Sequence, residues 1–360
     1  MKVVFDGYWW GDGPAAVRQI MRAIVLTWRD ELDDELVVVV RHRDLAAARA
    51  ELGPTVDVRG SRLYPQALLA ALPAAWIGRR VRADAVVTHN FAAVGRRSFV
   101  FVHDFMFMTS PQWFTRVERA YFALMPLLAR AFARTVLATS SAEAARIRRF
   151  VGRRTVVPVG IGRSDALTGA SPEPVAGLAT RGFWLAVGRI NARKNLGMAI
   201  EAALESGVVD ASNPLVLVGE ADGAPVRLSD RAEQAVAAGA VVFQGHVSDG
   251  QLRWLFENAR ASLYLSVDEG FGMPPLESLS LGTPVIASNI AVMVENLPAG
   301  TTMVDPLDLT AIARAIRDED ARELDAGRSA QLRSSVTQPE WADVVHAIRS
   351  VIVSSGGGAA

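Results

Sequence analysis

The sequence predicts an α/β protein with two doubly wound domains that face a central cleft. Its 360 residues are enough for two domains, each with its own hydrophobic core. Short β-branched runs alternate with amphipathic helical stretches, which is typical of parallel sheets covered by helices. Residues 1–170 carry 24 basic and 15 acidic side chains, whereas residues 171–360 carry 14 and 23. The opposite charges of the two halves support two separate bodies.

The first domain is predicted over residues 1–165. A helix is expected from Pro14 to Trp28, because apolar side chains recur on one face of that stretch. Buried parallel strands are indicated by five β-branched runs: "KVVF" (2–5), "ELVVVV" (35–40), "DAVVTH" (84–89), "FVFVH" (99–103) and "TVLAT" (135–139).

The second domain is predicted over residues 166–338, after a linker at 160–182 that is rich in Gly, Pro and Ser and has no periodicity. Strands are expected at 183–188, 214–219, 240–245, 261–266, 283–288 and 301–304. Helices are expected near 194–206, 248–259, 275–282, 308–317 and 320–334. Residues 339–360 are predicted to form a helix and a disordered "SSGGGAA" tail, with a crossing of that helix back to the first domain left open.

Composition excludes several classes of protein. The chain has no cysteine, which rules out disulfides and thiolate sites. Its first residues do not have the pattern of a signal peptide, and no apolar run is long enough to span a bilayer, so a cytoplasmic location is expected. Arginine outnumbers lysine 36 to 2, so a lysine at a given position indicates a specific role for that side chain.

The stretch "GRINARKN" (188–195) follows a predicted strand and leads into a helix. Arg189 and Lys194 would therefore lie at the carboxyl edge of a sheet, near free backbone N–H groups that favour anions. Two cations there would neutralise a diphosphate without a metal ion. The alternative is a solvated turn with basic residues.

The stretch "DEGFGMPPLE" (268–277) combines two glutamates with a glycine loop. Gly270 and Gly272 would let the backbone approach a ligand. Glu269 at the strand exit and Glu277, expected in the first turn of the next helix, would both face one site. Carboxylates accept paired hydrogen bonds from neighbouring hydroxyls, such as those of sugar rings. The alternative is that Glu277 complements the helix dipole and Glu269 is a surface acid.

The first domain offers weaker signals. "WWGDGPAAV" (9–17) contains G-x-G-x-x-A, which favours a nicotinamide-dependent oxidoreductase as an alternative function, but its loop is too long for the tight phosphate turn. We interpret Gly11 and Gly13 as a glycine loop at the cleft. His103 ends a strand beside Asp104, so it is a candidate ligand-contacting residue as well as a candidate structural histidine. No metal-ligand spacing occurs, and "DED" (318–320) lies on a helix.

The basic excess of the first domain makes a peripheral membrane contact a further hypothesis. Nucleic acid is not an expected partner, because none of the usual binding motifs occurs.

Together, "GRINARKN", "FQGHVSDGQLRWLF" and "DEGFGMPPLESLSLGTPVIAS" resemble the retaining glycosyltransferases of family four, which have the GT-B fold. The resemblance covers residues 183–320 and extends weakly into the first domain through "HDFMF" and "ATSSAEAARIRR". It implies two Rossmann-like domains and a nucleotide-diphosphate sugar as donor. It also implies a hydroxyl acceptor on a glycan, glycolipid or small molecule, as in polysaccharide biosynthesis, with no metal and no other cofactor.

The resemblance also implies roles for single residues. Glu277 would bind the ribose, Glu269 the transferred sugar, and His103 the sugar from the opposite domain. Arg189 and Lys194 would hold the diphosphate. The remaining implied donor contacts are backbone or packing positions: Gly11, Gly13, Gly188, Gly270, Phe271, Gly272, Met273 and Leu276.

Two features depart from the family or stay open. Many relatives have an Asn-Gly pair where this chain reads "VVPVGIG" (156–162), and the Trp9–Trp10 loop is unusual, so acceptor choice is expected there. UDP, GDP and dTDP donors all remain open, with a mild preference for GDP-mannose. A non-catalytic sugar-nucleotide-binding protein is the third alternative.

Overall fold

The computed structural model describes residues 1–220 and 228–356, and its internal contacts divide the chain into two units. The first unit contains Met1–Arg163 and the segment that starts at Pro339. The second contains Ser164–Gln338. The sequence predicts domain limits at residues 165 and 338 and a separate C-terminal helix after them, and the units of the structure change at residues 163 and 338.

In the described part of the first unit, seven strands form one parallel sheet in the order β3-β2-β1-β4-β5-β6-β7. The strands are β1 (Lys2–Gly7), β2 (Glu35–Arg41), β3 (Asp57–Ser61), β4 (Ala85–His89), β5 (Ser98–Val102), β6 (Ala133–Ala138) and β7 (Thr155–Pro158). The helices that connect them are α1 (Ala15–Glu31), α2 (Leu45–Leu52), α3 (Gln66–Leu69), α4 (Ala75–Arg80), α5 (Met106–Thr109), α6 (Arg116–Phe122), α7 (Leu124–Phe132) and α8 (Ser141–Arg148).

The sequence predicted five of these strands and missed β3 and β7. Both lie at the edges of the sheet and are only partly buried. β3 reads "DVRGS" and buries Val58 alone, so it has no apolar run to detect. Helix α1 was predicted correctly, with Ile20, Ile24 and Trp28 buried on its inner face.

In the described part of the second unit, six strands form a parallel sheet in the order β10-β9-β8-β11-β12-β13. They are β8 (Trp184–Val187), β9 (Leu215–Val218), β10 (Val241–Gly245), β11 (Ser262–Tyr264), β12 (Val285–Ser288) and β13 (Thr302–Val304). Its helices are α9 (Asp165–Gly169), α10 (Leu196–Ser206), α11 (Asp230–Ala237), α12 (Asp249–Asn258), α13 (Met273–Ser280), α14 (Ala291–Asn296), α15 (Leu309–Asp320) and α16 (Ala326–Ser335).

Two expectations about irregular segments were wrong. The linker contains the short helix α9, and the last helix, α17 (Trp341–Gly356), continues through the first three residues of the predicted tail. Helix α17 packs against α1, and its Arg349 pairs with Asp34, so it belongs to the first unit. The remaining tail, residues 357–360, lies outside the described residues.

Both sheets carry apolar clusters made of strand and helix side chains, and both change direction in the same way. In each order the chain first builds outward on one side and then returns to the other side of its first strand. The reversal falls between β1 and β4 in the first sheet, and between β8 and β11 in the second. Ligands of open α/β sheets bind beyond the carboxyl ends of the strands at such a reversal.

Candidate donor site and a histidine cluster

The second unit has a tight turn at the end of β8, one of the two strands at its reversal point. Gly188 has a φ of +146°, and a Cβ there would lie 3.1 Å from Cε of Lys194. Asn191 then accepts a hydrogen bond from the Lys194 N–H (3.2 Å) and caps a single 3-10 turn, Ala192–Lys194. The turn directs the lysine side chain back to the strand end, so the predicted position of Lys194 at the sheet edge has a local cause.

Lys194 is the centre of a buried charged cluster. Its Nζ donates to Oε1 of Glu269 and to the hydroxyl of Tyr264, both at 2.7 Å. Arg193 contacts the same Oε1 at 2.7 Å, and the Tyr264 hydroxyl donates to it at 3.1 Å. The turn after β8 and the loop after β11 therefore meet in one set of contacts at the reversal point.

The ionisation of this cluster is set by two opposing effects. Burial raises the pKa of Glu269, but the charges of Lys194 and Arg193 outweigh it and hold the pKa at about 2. Burial also lowers the pKa of Lys194, against the attraction of Glu269. Glu269 is 7% exposed, so this carboxylate is an ionised group held among cations in a largely dry setting.

The glycine loop leads directly into helix α13. Gly272 is in the left-handed region at φ +88°, and a Cβ there would lie 2.6 Å from Cε of Met293. The carbonyl of Phe271 accepts from Nδ2 of Asn296 at 2.8 Å. The first four N–H groups of a helix have no intrahelical partner, and Pro274 and Pro275 lack theirs. The backbone donors at this helix start are therefore those of Gly272 and Met273.

The sequence predicted Glu277 in the first turn of its helix, and this prediction is wrong. Helix α13 begins at Met273, because its two prolines occupy the first turn, and Glu277 is its fifth residue. It is partly buried, and within residues 1–220 and 228–356 its carboxylate has no hydrogen bond or ion pair. Burial, with a contribution from Asp249, raises its pKa to about 7. A role in complementing the helix dipole does not explain this group.

The other predicted donor-site residues differ from Lys194 and Glu277 in their exposure and contacts. Arg189 is exposed, and its charge is close enough to Lys194 to contribute to the lowered lysine pKa. Phe271 and Leu276 are buried side chains. Gly270 and Met273 lie in the same loop and helix start.

In the first unit, His103 follows β5 and contacts a second histidine. Nε2 of His103 lies 3.4 Å from Nδ1 of His89, and the rings are stacked with centroids 5.5 Å apart. Burial lowers the pKa of His103 to about 4 and the pKa of His89 well below its usual range. Both imidazoles are therefore neutral at pH 7.

His89 is fully buried, and its Nε2 has no hydrogen-bond partner among the described residues. A buried N–H without an acceptor costs more than an unused lone pair, so we assign the His89 proton to Nδ1. Nε2 of His103 then accepts, and Nδ1 carries the His103 proton. Beneath the pair, Gln66 donates to the His89 carbonyl (3.1 Å) and to Asp6 (3.3 Å).

The predicted glycine loop, residues 9–13, is tightly packed against the side chains of Trp9 and Asp44. A Cβ at Gly13 would lie 2.1 Å from the Trp9 ring, and a Cβ at Gly11 would lie 2.3 Å from Oδ1 of Asp44. Trp10 is fully buried, so its side chain is part of the core of this loop. Trp9 is partly buried and donates to Gln66 at 3.1 Å. The compact loop thus has a structural reason for both glycines.

Sequence reasoning missed several residues of both clusters. Arg193 is adjacent to Lys194 in "GRINARKN". Tyr264 ends a buried strand, and the apolar pattern of that strand gives no sign that its hydroxyl is used. Asp6 and His89 end β1 and β4, which the strand pattern could have singled out as neighbours at a reversal point. Gln66 lies at the start of α3 and has no sequence signal.

Within the described ranges, no three His, Cys, Asp or Glu side chains are grouped as metal ligands. In the same part of the chain, no helix has the length and apolarity needed to cross a membrane.

The family model described as "Glycosyl transferases group 1" matches residues 176–319. That range contains the whole charged cluster, the glycine loop and Glu277. It lies within the second unit.

Two curated relatives are bacterial mannosyltransferases. O-antigen chain mannosyltransferase B of Escherichia coli is 31% identical over 156 residues, which are 42% of this chain and 41% of the relative. O-antigen chain mannosyltransferase RfbU of Salmonella typhimurium is 27% identical over 235 residues, 64% of this chain and 63% of the relative. The matches therefore span less than two thirds of either relative.

Solved structures resemble the chain over nearly its whole length. Anabaena Alr3699/HepE in complex with UDP-glucose aligns with a TM-score of 0.70 at 17% identity, covering 98% of this chain and 100% of that one. The fold is GT-B. The GT-B likeness is one of architecture, with two Rossmann-like α/β domains, and the sequence likeness is concentrated in the second of them.

Proposed function

We propose that this GT-B protein is a retaining glycosyltransferase that moves a hexose or deoxyhexose, with a mannosyl unit preferred, from a nucleotide-diphosphate sugar to a hydroxyl acceptor. The observation that carries the proposal is the Lys194–Glu269–Tyr264 cluster at the reversal point of the second sheet. On the adjoining helix, the carboxylate of Glu277 has no ion pair among the residues that the structure describes. The match of residues 176–319 to the glycosyltransferase model supports it.

The proposal assigns the diphosphate to Lys194, Arg189 and the start of α13. Lys194 has three N–H donors, and Glu269 and Tyr264 use two of them, which leaves one for a phosphate oxygen. The N–H groups of Gly272 and Met273 are further donors, and the positive end of the helix favours an anion. When the sugar bond breaks, negative charge grows on the diphosphate, so a fixed ammonium stabilises the transition state more than the ground state.

The two glutamates are assigned different hydroxyl pairs. Lys194, Arg193 and Tyr264 all contact Oε1 of Glu269, so Oε2 is the oxygen that we assign to a hydroxyl of the transferred sugar. Glu277 is assigned to the ribose, since an ionised carboxylate accepts from two neighbouring hydroxyls at once. Its pKa of about 7 makes that ionisation sensitive to pH.

His103 is assigned to the sugar as a neutral hydrogen-bond donor. Its low pKa excludes a permanent imidazolium at pH 7, and its Nε2 is engaged by His89. In this mechanism the departing diphosphate accepts the acceptor proton, and no metal ion or other cofactor takes part. The acceptor is a glycan, glycolipid or small molecule, and the site of action is the cytoplasm or the inner face of the membrane.

Thermal unfolding in the presence of UDP, GDP, dTDP and NAD tests the nucleotide assignment. The proposal expects a higher Tm with at least one nucleoside diphosphate, because a ligand that binds only the folded state stabilises it. Lys194→Met should remove most of that shift. Lys2→Met is the matched control, since it changes the other lysine, which pairs with Glu35 at the surface.

Protection by NAD, with none by nucleoside diphosphates, would contradict this proposal and favour an oxidoreductase.

Turnover of a nucleotide sugar is the second measurement. Transfer or slow hydrolysis of GDP-mannose or UDP-glucose, unchanged by EDTA, is expected. Nucleotide protection without any turnover of a panel of donors and hydroxyl acceptors would favour a non-catalytic binding protein.

A further inference from the structure

A cavity of about 510 Å³ lies in the first unit, away from its histidine cluster. Its lining comes from α4, from the residues that precede β4, and from the turn that precedes β5. His89 ends β4 and His103 follows β5, whereas Ala83 and Ser98 lie at the opposite ends of the same strands. The cavity is therefore at the amino edge of the sheet, and the proposed glycosyl transfer does not use it.

Four arginines line the cavity: Arg79, Arg82, Arg96 and Arg97. Arg79 donates to the carbonyl of Val94 at 2.9 Å, and Arg97 donates to the carbonyl of Ala83 at 2.5 Å. Each of these two guanidinium groups is thereby held in place while most of its five donors remain available.

None of the four arginines forms an ion pair with a carboxylate among residues 1–220 and 228–356. The local sequence explains why. From Val58 to His103 the chain has seven arginines and a single acidic residue, Asp84, whose carboxylate accepts from the Lys2 N–H. Four like charges around one concavity repel each other, so a bound anion would stabilise the folded chain.

A serine also lines the cavity, among apolar residues. Ser98 is 1% exposed, and its Oγ has no hydrogen-bond partner among the described residues. Buried hydroxyls are normally paired, so the Ser98 hydroxyl has a donor to offer to an anion in this cavity. The other wall is made of small side chains of Ala, Val and Gly residues.

An exposed apolar ridge lies along the helical segment that ends in α4, the helix that also lines this cavity. Leu68, Leu72 and Trp76 follow one another at intervals of four residues along α3, a π turn (Ala70–Ala74) and α4. They are 43%, 51% and 57% exposed. The guanidinium of Arg80 lies 5.4 Å from the Trp76 ring centroid. Exposure of three large apolar side chains to water is unfavourable, and contact with a lipid surface would bury them.

We propose that the arginine cavity binds the phosphate of an anionic lipid headgroup while the ridge of Leu68, Leu72 and Trp76 enters the lipid interface. The phosphate oxygens accept from the arginines and from Ser98, and the apolar side chains rest among the acyl chains. Positive charge beside exposed tryptophan and leucine matches the two layers of a membrane surface. This site is separate from the donor site, so each can be tested alone.

Flotation of the full chain with vesicles tests the proposal. Strong binding is expected to an equal mixture of phosphatidylcholine and phosphatidylglycerol, and weak binding to phosphatidylcholine alone. The Arg82→Ala, Arg96→Ala double variant should lower the partition coefficient about 10- to 30-fold. Its matched control is Arg149→Ala, Arg153→Ala, which removes the same charge from exposed positions between β6 and β7.

A second variant and its matched control test the apolar ridge. Leu72→Ser should weaken binding several-fold, whereas Leu307→Ser, at an exposed leucine of the second unit, should not. Equal loss in the control and cavity variants would reduce the effect to net charge and overturn the proposal. Binding of glycerol phosphate that depends on Arg82 and Arg96, without partition to vesicles, would overturn the lipid source. Retained nucleoside-diphosphate protection in every variant shows that the donor site is intact, so a failure here leaves the proposed function standing.

Discussion

The two clusters at the reversal points occupy equivalent places in their sheets but have opposite electrostatic designs. In the second unit, a buried carboxylate is held ionised by Lys194 and Arg193. In the first unit, His89 and His103 are held neutral by burial, with no carboxylate paired to either ring among the described residues. One site therefore presents fixed charge, and the other presents uncharged hydrogen-bonding groups.

This difference shows what each half is suited to bind. Fixed cations suit a ligand whose charge grows during the reaction, such as a leaving diphosphate. Neutral imidazoles suit hydroxyl groups, because they neither attract nor repel net charge. Substitutions at four places in the chain test this difference.

The largest effect is expected for Lys194→Ala. Loss of the ammonium should reduce kcat about 100- to 1,000-fold, because charge on the leaving group would lose its nearest cation. Turnover of a nucleotide sugar is the measurement. Glu269 keeps Arg193 as a partner, and denaturant unfolding checks that the variant is folded. Near-normal kcat in the folded variant would contradict the role of Lys194, and Lys2→Ala should be neutral.

The histidine pair should make the folded state sensitive to acid. The pKa of His103 is lower in the folded chain (about 4) than its ordinary value of 6.5, so the unfolded chain binds more protons between these values. The contribution of His103 to stability should be complete above pH 6.5 and fall by roughly 3 kcal/mol as the pH drops to 4. Because the raised pKa values of Asp6 and Glu277 act in the opposite sense, this contribution is the difference in chemical unfolding between the native chain and the His89→Asn, His103→Asn double variant across this range. The same pH slope in both proteins would refute the buried neutral pair.

Gly272→Ala tests the loop that leads into α13. A Cβ there meets Met293 in addition to the left-handed backbone, so a loss of about 2–3 kcal/mol is expected in the free energy of unfolding. Gly300→Ala is the control, because Gly300 has a similar φ of +92° but no atom within 4 Å of the added Cβ. It should cost only about 1 kcal/mol. Equal losses would mean that the contact with Met293 relaxes freely.

Glu277→Gln should show the smallest effect and the sharpest pH signature. If ribose requires the ionised carboxylate, nucleoside-diphosphate affinity of the native chain should fall up to tenfold per pH unit below about 7. The glutamine variant should lack the part of this dependence that comes from Glu277. Asp249→Asn should move the midpoint downward, since Asp249 contributes to the raised pKa. Calorimetric titration from about pH 5.5 to 8.5 is the measurement. Identical profiles for all three proteins would remove Glu277 from the site.

Much of the fold could be predicted because buried parallel strands have a strong sequence signal. Each strand at the centre of a sheet, such as β1 or β8, is a continuous apolar run. Edge strands such as β3 lack this run, and α13 began two residues earlier than predicted, because its prolines fit the first turn. Local sequence therefore located the central strands and left the sheet edges and helix ends uncertain.

The candidate donor site was partly predictable for a related reason. Lys194 and Glu269 lie in two short segments of unusual composition, so each segment could be predicted as part of a ligand site by itself. Tyr264 and Arg193 did not, because one is part of a strand and the other is an arginine in an arginine-rich chain. The histidine cluster was hidden further, since Asp6, Gln66 and His89 come from three distant segments.

The sequence by itself determined the alternation of strands and helices, the two-domain organisation and the identity of the chemically distinctive segments, because these depend on local composition and periodicity. Tertiary structure alone decided which side chains share a carboxylate, which histidines are neutral and where arginines surround a cavity. Ionisation depends on burial and on charges within a few ångströms, and residues far apart in the chain supply both.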